Sequence, residues 1–253
     1  MKPKTTIEWA DHSWNPYHWS CNKVSPGCKN CYMMTMAIRF KKPHPVGTPQ
    51  VREKAWSELS RIPSGSIIFV NSMSDTYHEG VALETIQRVH NTASQHPDKT
   101  FLMLTKRIER VASIHNDLTW SDNIWIGTSV ENHNYYRRLD YLLDIPAAGR
   151  FVSAEPLLGE IHLSPYLATG RLNWVILGAE SGDNRRAFDP QWARIVRDEC
   201  QAYEVPYLFK QGSHRKSGQQ RLLDGRTWDE TPFAETPEPE IHPVQLDMFG
   251  STS

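Results

Sequence analysis

The sequence predicts an α/β fold, a partial or complete (β/α) barrel of the TIM-barrel type, and two observations carry that prediction. Short, continuous, β-branched apolar runs recur along the 253 residues, and segments of helical spacing separate them. A run that is apolar at every position is buried on both faces, which marks a parallel sheet. Parallel neighbours need crossover connections, and repeated β-α units wind into a barrel. A doubly wound open sheet is the alternative.

Thr5–Trp9 reads as the first strand. The later runs are Ile67–Val70, Phe101–Leu104, Ile124–Ile126, Arg150–Val152, Trp174–Leu177 and Pro206–Phe209. Between them, Val51, Ala55, Trp56 and Leu59 share a helix face that stops before Pro63 and Gly65. Leu83, Ile86, His90 and Ala93 make a second face, closed by Pro97. Tyr136, Leu139 and Leu143 make a third, ended by Ile145-Pro146. Asp189-Pro190 opens a fourth, because Pro suits the first helical position; Trp192, Ile195, Val196 and Cys200 share its stripe.

Residues 1–228 are expected to form a single domain, with a cysteine loop over about residues 12–32. From Asp229 to Ser253 the composition turns acidic and Pro-rich, with six acids and no Lys or Arg, which predicts a disordered tail. Net charge is −1 overall, so the body without that tail is near +5. Such a balance suits an anionic substrate without demanding one. No run is long and apolar enough to span a membrane. The first residues lack the apolar stretch of a secretory signal. Four cysteines in so long a chain are no disulfide scaffold, and reduced thiols in the cytoplasm are expected.

Chemistry in a barrel gathers at the carboxyl ends of its strands. The second strand leads into Asn71-Ser72-Met73-Ser74-Asp75, the third into Thr105-Lys106-Arg107, and the fourth into Thr128-Ser129-Val130-Glu131-Asn132. Polar loops are ordinary, but Glu155, Glu180 and Lys210 each follow a buried run directly. Charges there are costly unless paired or used. They are expected to line one pocket.

Three of the four cysteines, Cys21, Cys28 and Cys31, fall in one loop, C-N-K-V-S-P-G-C-K-N-C-Y. Pro26-Gly27 turns the chain so that the first thiol approaches the others. Three readings stand. Three thiolates can hold an iron–sulfur cluster with one iron open, shielded by Trp9, Trp14, Tyr17, Trp19 and Tyr32. Three thiolates with His18 or His12 would make a Cys₃His zinc site. The thiols could instead stay unligated, although clustering in a reducing compartment argues against that. Cys200, on an apolar stripe, reads as a small buried hydrophobe.

Taken together, these residues resemble the phage-associated three-Cys-motif family, which is radical SAM-like. The blocks that carry the resemblance are T-I-E-W-A-D-H-S-W-N-P (Thr6 to Pro16), V-S-P-G-C-K-N-C-Y (Val24 to Tyr32), F-V-N-S-M-S-D (Phe69 to Asp75), L-T-K-R (Leu104 to Arg107), S-V-E-N (Ser129 to Asn132), R-F-V-S-A-E-P-L-L-G (Arg150 to Gly159), W-V-I-L-G-A-E-S-G (Trp174 to Gly182) and F-K-Q (Phe209 to Gln211). They run in order over most of the chain. Three features depart from the pattern. Six residues separate Cys21 from Cys28, where radical SAM motifs usually have three. Ser20 stands where the family has Gly, and Gly178-Ala179 where it has two glycines.

The resemblance implies a [4Fe–4S] cluster on Cys21, Cys28 and Cys31, with S-adenosyl-L-methionine bound through the open iron. An electron from the cluster would release a 5′-deoxyadenosyl radical, which would abstract hydrogen from a substrate to be sought among nucleic acids or nucleotides. By strand order, Ser72, Ser74 and Asp75 would meet the methionine amino group, and Lys106 or Arg107 its carboxylate. Ser129, Glu131 or Asn132 would bind ribose hydroxyls. Glu155, Glu180 and Lys210 would contact substrate and act in catalysis. The alternative is a zinc-binding or catalytically inactive protein associated with nucleic acid or a clamp. That last idea comes from Gln245-Leu246-Asp247-Met248-Phe249, which resembles the short peptide that docks bacterial replication and repair proteins on the DNA sliding clamp.

Overall fold

The computed structural model describes residue 5 and residues 7–233. Seven parallel strands form one sheet, and their order in space is their order in the chain. They are β1 (His12–Trp14), β2 (Ile67–Val70), β3 (Thr100–Thr105), β4 (Ile124–Ser129), β5 (Gly149–Ala154), β6 (Trp174–Gly178) and β7 (Tyr207–Gln211). The six links hold α1 (Tyr32–Arg39), α2 (Leu83–Ser94), α3 (Ile108–Ile114), α4 (Arg137–Asp144), α5 (Ser164–Leu167) and α6 (Pro190–Ala202). A doubly wound sheet reverses at a switch point; this sheet never reverses, which is the progressive winding of a barrel. Among the described residues β1 and β7 do not pair with each other, so the barrel is partial.

Both faces of the sheet are covered, which is why the strands are apolar at every position. Ile68, Val70, Phe101, Met103, Ile126 and Val175 face a layer that contains Ile86, Val89, Leu142 and Val196 from the helices. The alternate residues Phe69, Leu102, Phe151, Trp174, Ile176 and Leu208 fill the inside of the curve. Asp189 caps α6 by accepting the Gln191 N–H (2.8 Å), with Pro190 at its first position.

Three expectations change. The first strand is His12–Trp14, not Thr5–Trp9. Trp9 turns inward and packs on Phe69, ring centres 4.5 Å apart, while Asp11 reaches β2 by accepting the Ile67 N–H (2.8 Å). The expected helix around Val51–Leu59 is two 3₁₀ turns, Glu53–Ala55 and Leu59–Arg61. There the Trp14 indole N–H donates to the Ala55 carbonyl (2.9 Å), the group a continuing α-helix would use for Leu59. The packed chain also continues past Trp228. Asp229 bridges Leu208, and Phe233 sits edge-on to Trp125 and Trp174 at 4.8 and 5.7 Å, closing the inside at the strands' amino ends. The rest of the acidic tail, with Gln245–Phe249, lies outside the described residues. Among the described residues no helix is long and apolar enough to cross a membrane.

Candidate functional site

The loop after β1 folds back over the carboxyl ends of the strands. A cavity of about 170 Å³ opens there, with Cys21, Cys28 and Cys31 in its wall. Ser72, Ser74 and Asp75 after β2, Lys106 and Arg107 after β3, and Ser129 at the end of β4 line the same cavity. Apolar Phe69, Met33, Met73 and Leu104 complete it. Glu131, Asn132, Glu155, Glu180 and Lys210 are not in its wall.

Each cysteine has polar company. Arg107 donates to the Cys21 sulfur (3.6 Å), and the Ser25 hydroxyl lies 3.7 Å from that of Cys28. Cys31 is the amino-terminal cap of α1. Burial pushes the Cys21 thiol up to about 11, with Asp75 adding to the rise and Arg107 opposing it. Burial also raises Cys31, against the pull of the Met33 and Met34 amides. A metal must therefore displace protons from these thiols.

Several of the residues expected to touch a ligand also hold the cysteine loop. Arg107 gives its other donors to Asp75 (2.9 Å), Glu79 (2.8 Å) and the Asn22 carbonyl (3.1 Å). Asp75 also accepts from Thr105 Oγ1 (2.8 Å) and the Tyr77 N–H (2.9 Å), so its acceptor sites are used within the protein. Glu131 is fully buried between Lys106 Nζ (2.8 Å) and Arg138 (2.9 Å), and it accepts the Ser25 hydroxyl (2.5 Å). Burial alone would raise its pKa; the two cations hold it below the usual carboxylate range. Gly27 rests on that carboxylate so closely that a Cβ would stand 2.5 Å from Oε1. The glycine is needed for close approach as much as for the turn. On the other side, Glu180 accepts from Asn30 (3.0 Å) and the Arg186 guanidinium, and Arg186 donates to the Pro26 carbonyl (3.0 Å). Burial opposes the ionised form of Glu180, and Arg186 restores it.

Asn132, Glu155 and Lys210 lie outside the cavity wall. Asn132 caps a 3₁₀ turn by accepting the Asn134 N–H (3.0 Å). Glu155 and Lys210 form their own ion pair (2.7 Å) beside the cavity, inside the curve of the sheet. Burial disfavours the Lys210 ammonium, and the Glu155 carboxylate more than compensates. Ser72 donates to Asn15 Oδ1 (3.1 Å), and the Tyr32 hydroxyl donates to the Ser72 carbonyl. Ser74 differs from Ser72: its hydroxyl is buried and has no hydrogen-bond partner, and the same holds for Lys106 Nζ, which meets Glu131 as an ion pair only.

Among the described residues no three His, Cys, Asp or Glu side chains stand close enough to share one metal. Neither His12 nor His18 lines the cavity; His12 is buried in β1 and His18 is exposed, so the Cys₃His set does not assemble. Ser25, Asn30, Arg138 and Arg186 were not anticipated. Only Arg138 left a trace in the sequence, a charge beside the buried Leu139 and Leu142 of α4.

Fold and site define an α/β partial barrel with a three-thiol cavity at its strand ends. A family model described as "Protein of unknown function (DUF5131)" matches residues 4–232, and the chain belongs to that family. No curated protein matches it. Among solved structures it is similar to a spore photoproduct lyase mutant with bound AdoMet and dinucleoside spore photoproduct. That likeness has 12% identity and a TM-score of 0.48, over 75% of this chain and 61% of that one. A second spore photoproduct lyase structure, complexed with dinucleoside spore photoproduct, aligns at 10% identity and a TM-score of 0.45, over 74% of this chain and 72% of that one. The chain thus spans about three-fifths of the first of these two.

Proposed function

We propose that the protein is a radical SAM-type enzyme whose cluster sits on Cys21, Cys28 and Cys31. The observation that carries this reading is the convergence of all three thiols with Ser74, Lys106 and Ser129 on one cavity. Cys21, Cys28 and Cys31 would hold a [4Fe–4S] cluster, which with S-adenosylmethionine would supply one-electron reductive cleavage of the sulfonium and radical hydrogen abstraction.

The chain's own residues hold, orient and dry the site. Arg107 offsets the charge of the Cys21 thiolate and ties that residue to Asp75. Ser74, with a buried and unpartnered hydroxyl, is the hydrogen-bonding group ready for the cofactor's amino end. Lys106, in the cavity wall, is the cation placed for the carboxylate, its charge shared with Glu131. Ser129 is left to meet ribose. Phe69, Met33, Met73 and Leu104 exclude water from the reacting centre. Glu155 and Lys210, already paired and outside the loop's supports, are the groups free to meet substrate.

The test is oxygen-free purification followed by metal analysis. About four irons and four sulfides per chain support the reading. Reductant and S-adenosylmethionine should then give 5′-deoxyadenosine, and Cys28→Ala should abolish both. A colourless protein, before and after reconstitution, refutes it.

A further inference from the structure

Six of the eight large apolar side chains that are exposed among the described residues lie between Val24 and Val46. That stretch and the residue before it carry five exposed cations, Lys23, Lys29, Arg39, Lys41 and Lys42. No Asp or Glu occurs from His12 to Arg52. None of the five cations has a carboxylate within ion-pair distance among the described residues. An ordinary solvated face mixes the two signs of charge and scatters its apolar groups. This one concentrates apolar area and positive charge together.

The helix explains part of the arrangement. Met33 and Ala37 bury one side of α1 against Met73. Tyr32, Met36 and Phe40 then fall in an i, i+4, i+8 row on a side that is exposed. Tyr32 begins the row in the wall of the cysteine cavity, so the row leads outward from its mouth. At the far end Trp19 meets Phe40 edge-on at 6.0 Å. Lys42 Nζ stands 4.9 Å from the Trp19 ring centre, and the Arg39 guanidinium 5.7 Å from that of Phe40.

We propose that this row is a docking track for a single-stranded nucleic acid, which presents a nucleotide to the cavity; the second clause rests on the enzymatic reading above. Phosphates would pair with the unopposed Lys and Arg side chains, and bases would stack on Tyr32 and Phe40. A duplex hides its base faces, so exposed rings favour an unpaired strand. A surface rich in anionic lipid is the competing occupant, and the binding test separates the two.

Fluorescence anisotropy of a labelled oligo-dT of about 20 nucleotides tests the track on the full chain, both metal-free and reconstituted. Wild type should bind in both states. Lys41→Glu with Lys42→Glu should weaken binding at least about tenfold and flatten the slope of log Kd against log salt by roughly 1–1.5. Phe40→Ala should weaken binding by about tenfold and leave that slope unchanged. Circular dichroism confirms that these exposed substitutions keep the fold. The proposal is overturned if wild type ignores the strand at low salt, if a duplex binds as tightly, or if the variants bind like wild type. Tighter capture of vesicles rich in anionic lipid would reassign the face and overturn it as well. Strand binding by a protein that takes up no iron would support the track while removing the enzyme. Cofactor cleavage without strand binding would overturn the track alone.

Discussion

Glu131→Gln probes the centre of the loop's support. The side chain keeps its shape and loses its charge, so Lys106 at 2.8 Å and Arg138 at 2.9 Å face each other across a neutral amide. Glu131 is fully buried, and the side chains of Lys106 and Arg138 are 19% and 9% exposed. Removing one partner of a buried ion pair costs about 3–5 kcal/mol. Arg138 keeps its bond to the Ser129 carbonyl (2.8 Å), which places the expected cost near the lower end, about 3 kcal/mol. For a chain of this size that lowers Tm by about 6–12 °C. The assay is urea unfolding of the metal-free protein, followed by tryptophan fluorescence. Glu53→Gln is the control. It opens the Arg88–Glu53 pair, whose side chains are 49% and 71% exposed, and should cost under about 1 kcal/mol. The pH dependence has a definite sign. The folded carboxyl sits below its ordinary range, so the stabilisation is full above the unfolded pKa of about 4.3 and is lost as pH falls through the folded value. The gap between wild type and Glu131→Gln must therefore shrink in acid. A cost equal to that of the control, or a gap that widens in acid, refutes the placement of Glu131 as a buried anchor.

Gly27→Ala should lower iron retention after reconstitution severalfold, read by metal analysis. Its methyl has no room against a carboxylate that Ser25 and Lys106 hold in place. Lys210→Gln should leave iron content unchanged, because the Glu155 pair does not touch the cysteine loop, while unfolding free energy drops by about 1–3 kcal/mol. His90 is buried between the Tyr77 hydroxyl (2.8 Å) and the Thr119 carbonyl (2.9 Å), and burial lowers its pKa to about 4. Its contribution is full above pH 6.5 and falls as pH drops toward 4, by about 3 kcal/mol in all. The urea midpoint of wild type should follow that course, and His90→Gln should follow it less steeply.

The strands and the site's location were legible because their signals are local. Ile67–Val70 and Trp174–Leu177 are apolar at every position, and each runs into a polar stretch where barrels keep their chemistry. The loop's three cysteines needed no tertiary information to stand out. Which polar residue does what was another matter. Arg107, Glu131 and Glu180 occupy the strand ends that the sequence assigns to cofactor and substrate, yet each bonds to the cysteine loop through a partner far away in the chain. Ser25 lies 106 residues from Glu131, and Asn30 lies 150 from Glu180. Thr5–Trp9 has the composition of a strand, but Trp9 gains more by filling the inside of the sheet against Phe69.

The sequence alone thus determined the parallel β-α units and the trio of thiols, since burial periodicity and residue chemistry are written over a few neighbouring positions, while the order in which the strands wind was left to the structure. Only the tertiary structure decided how the thiols are held and which charges stay available. A charge taken out of water takes the nearest opposite charge in space, and that neighbour has no fixed address in the chain.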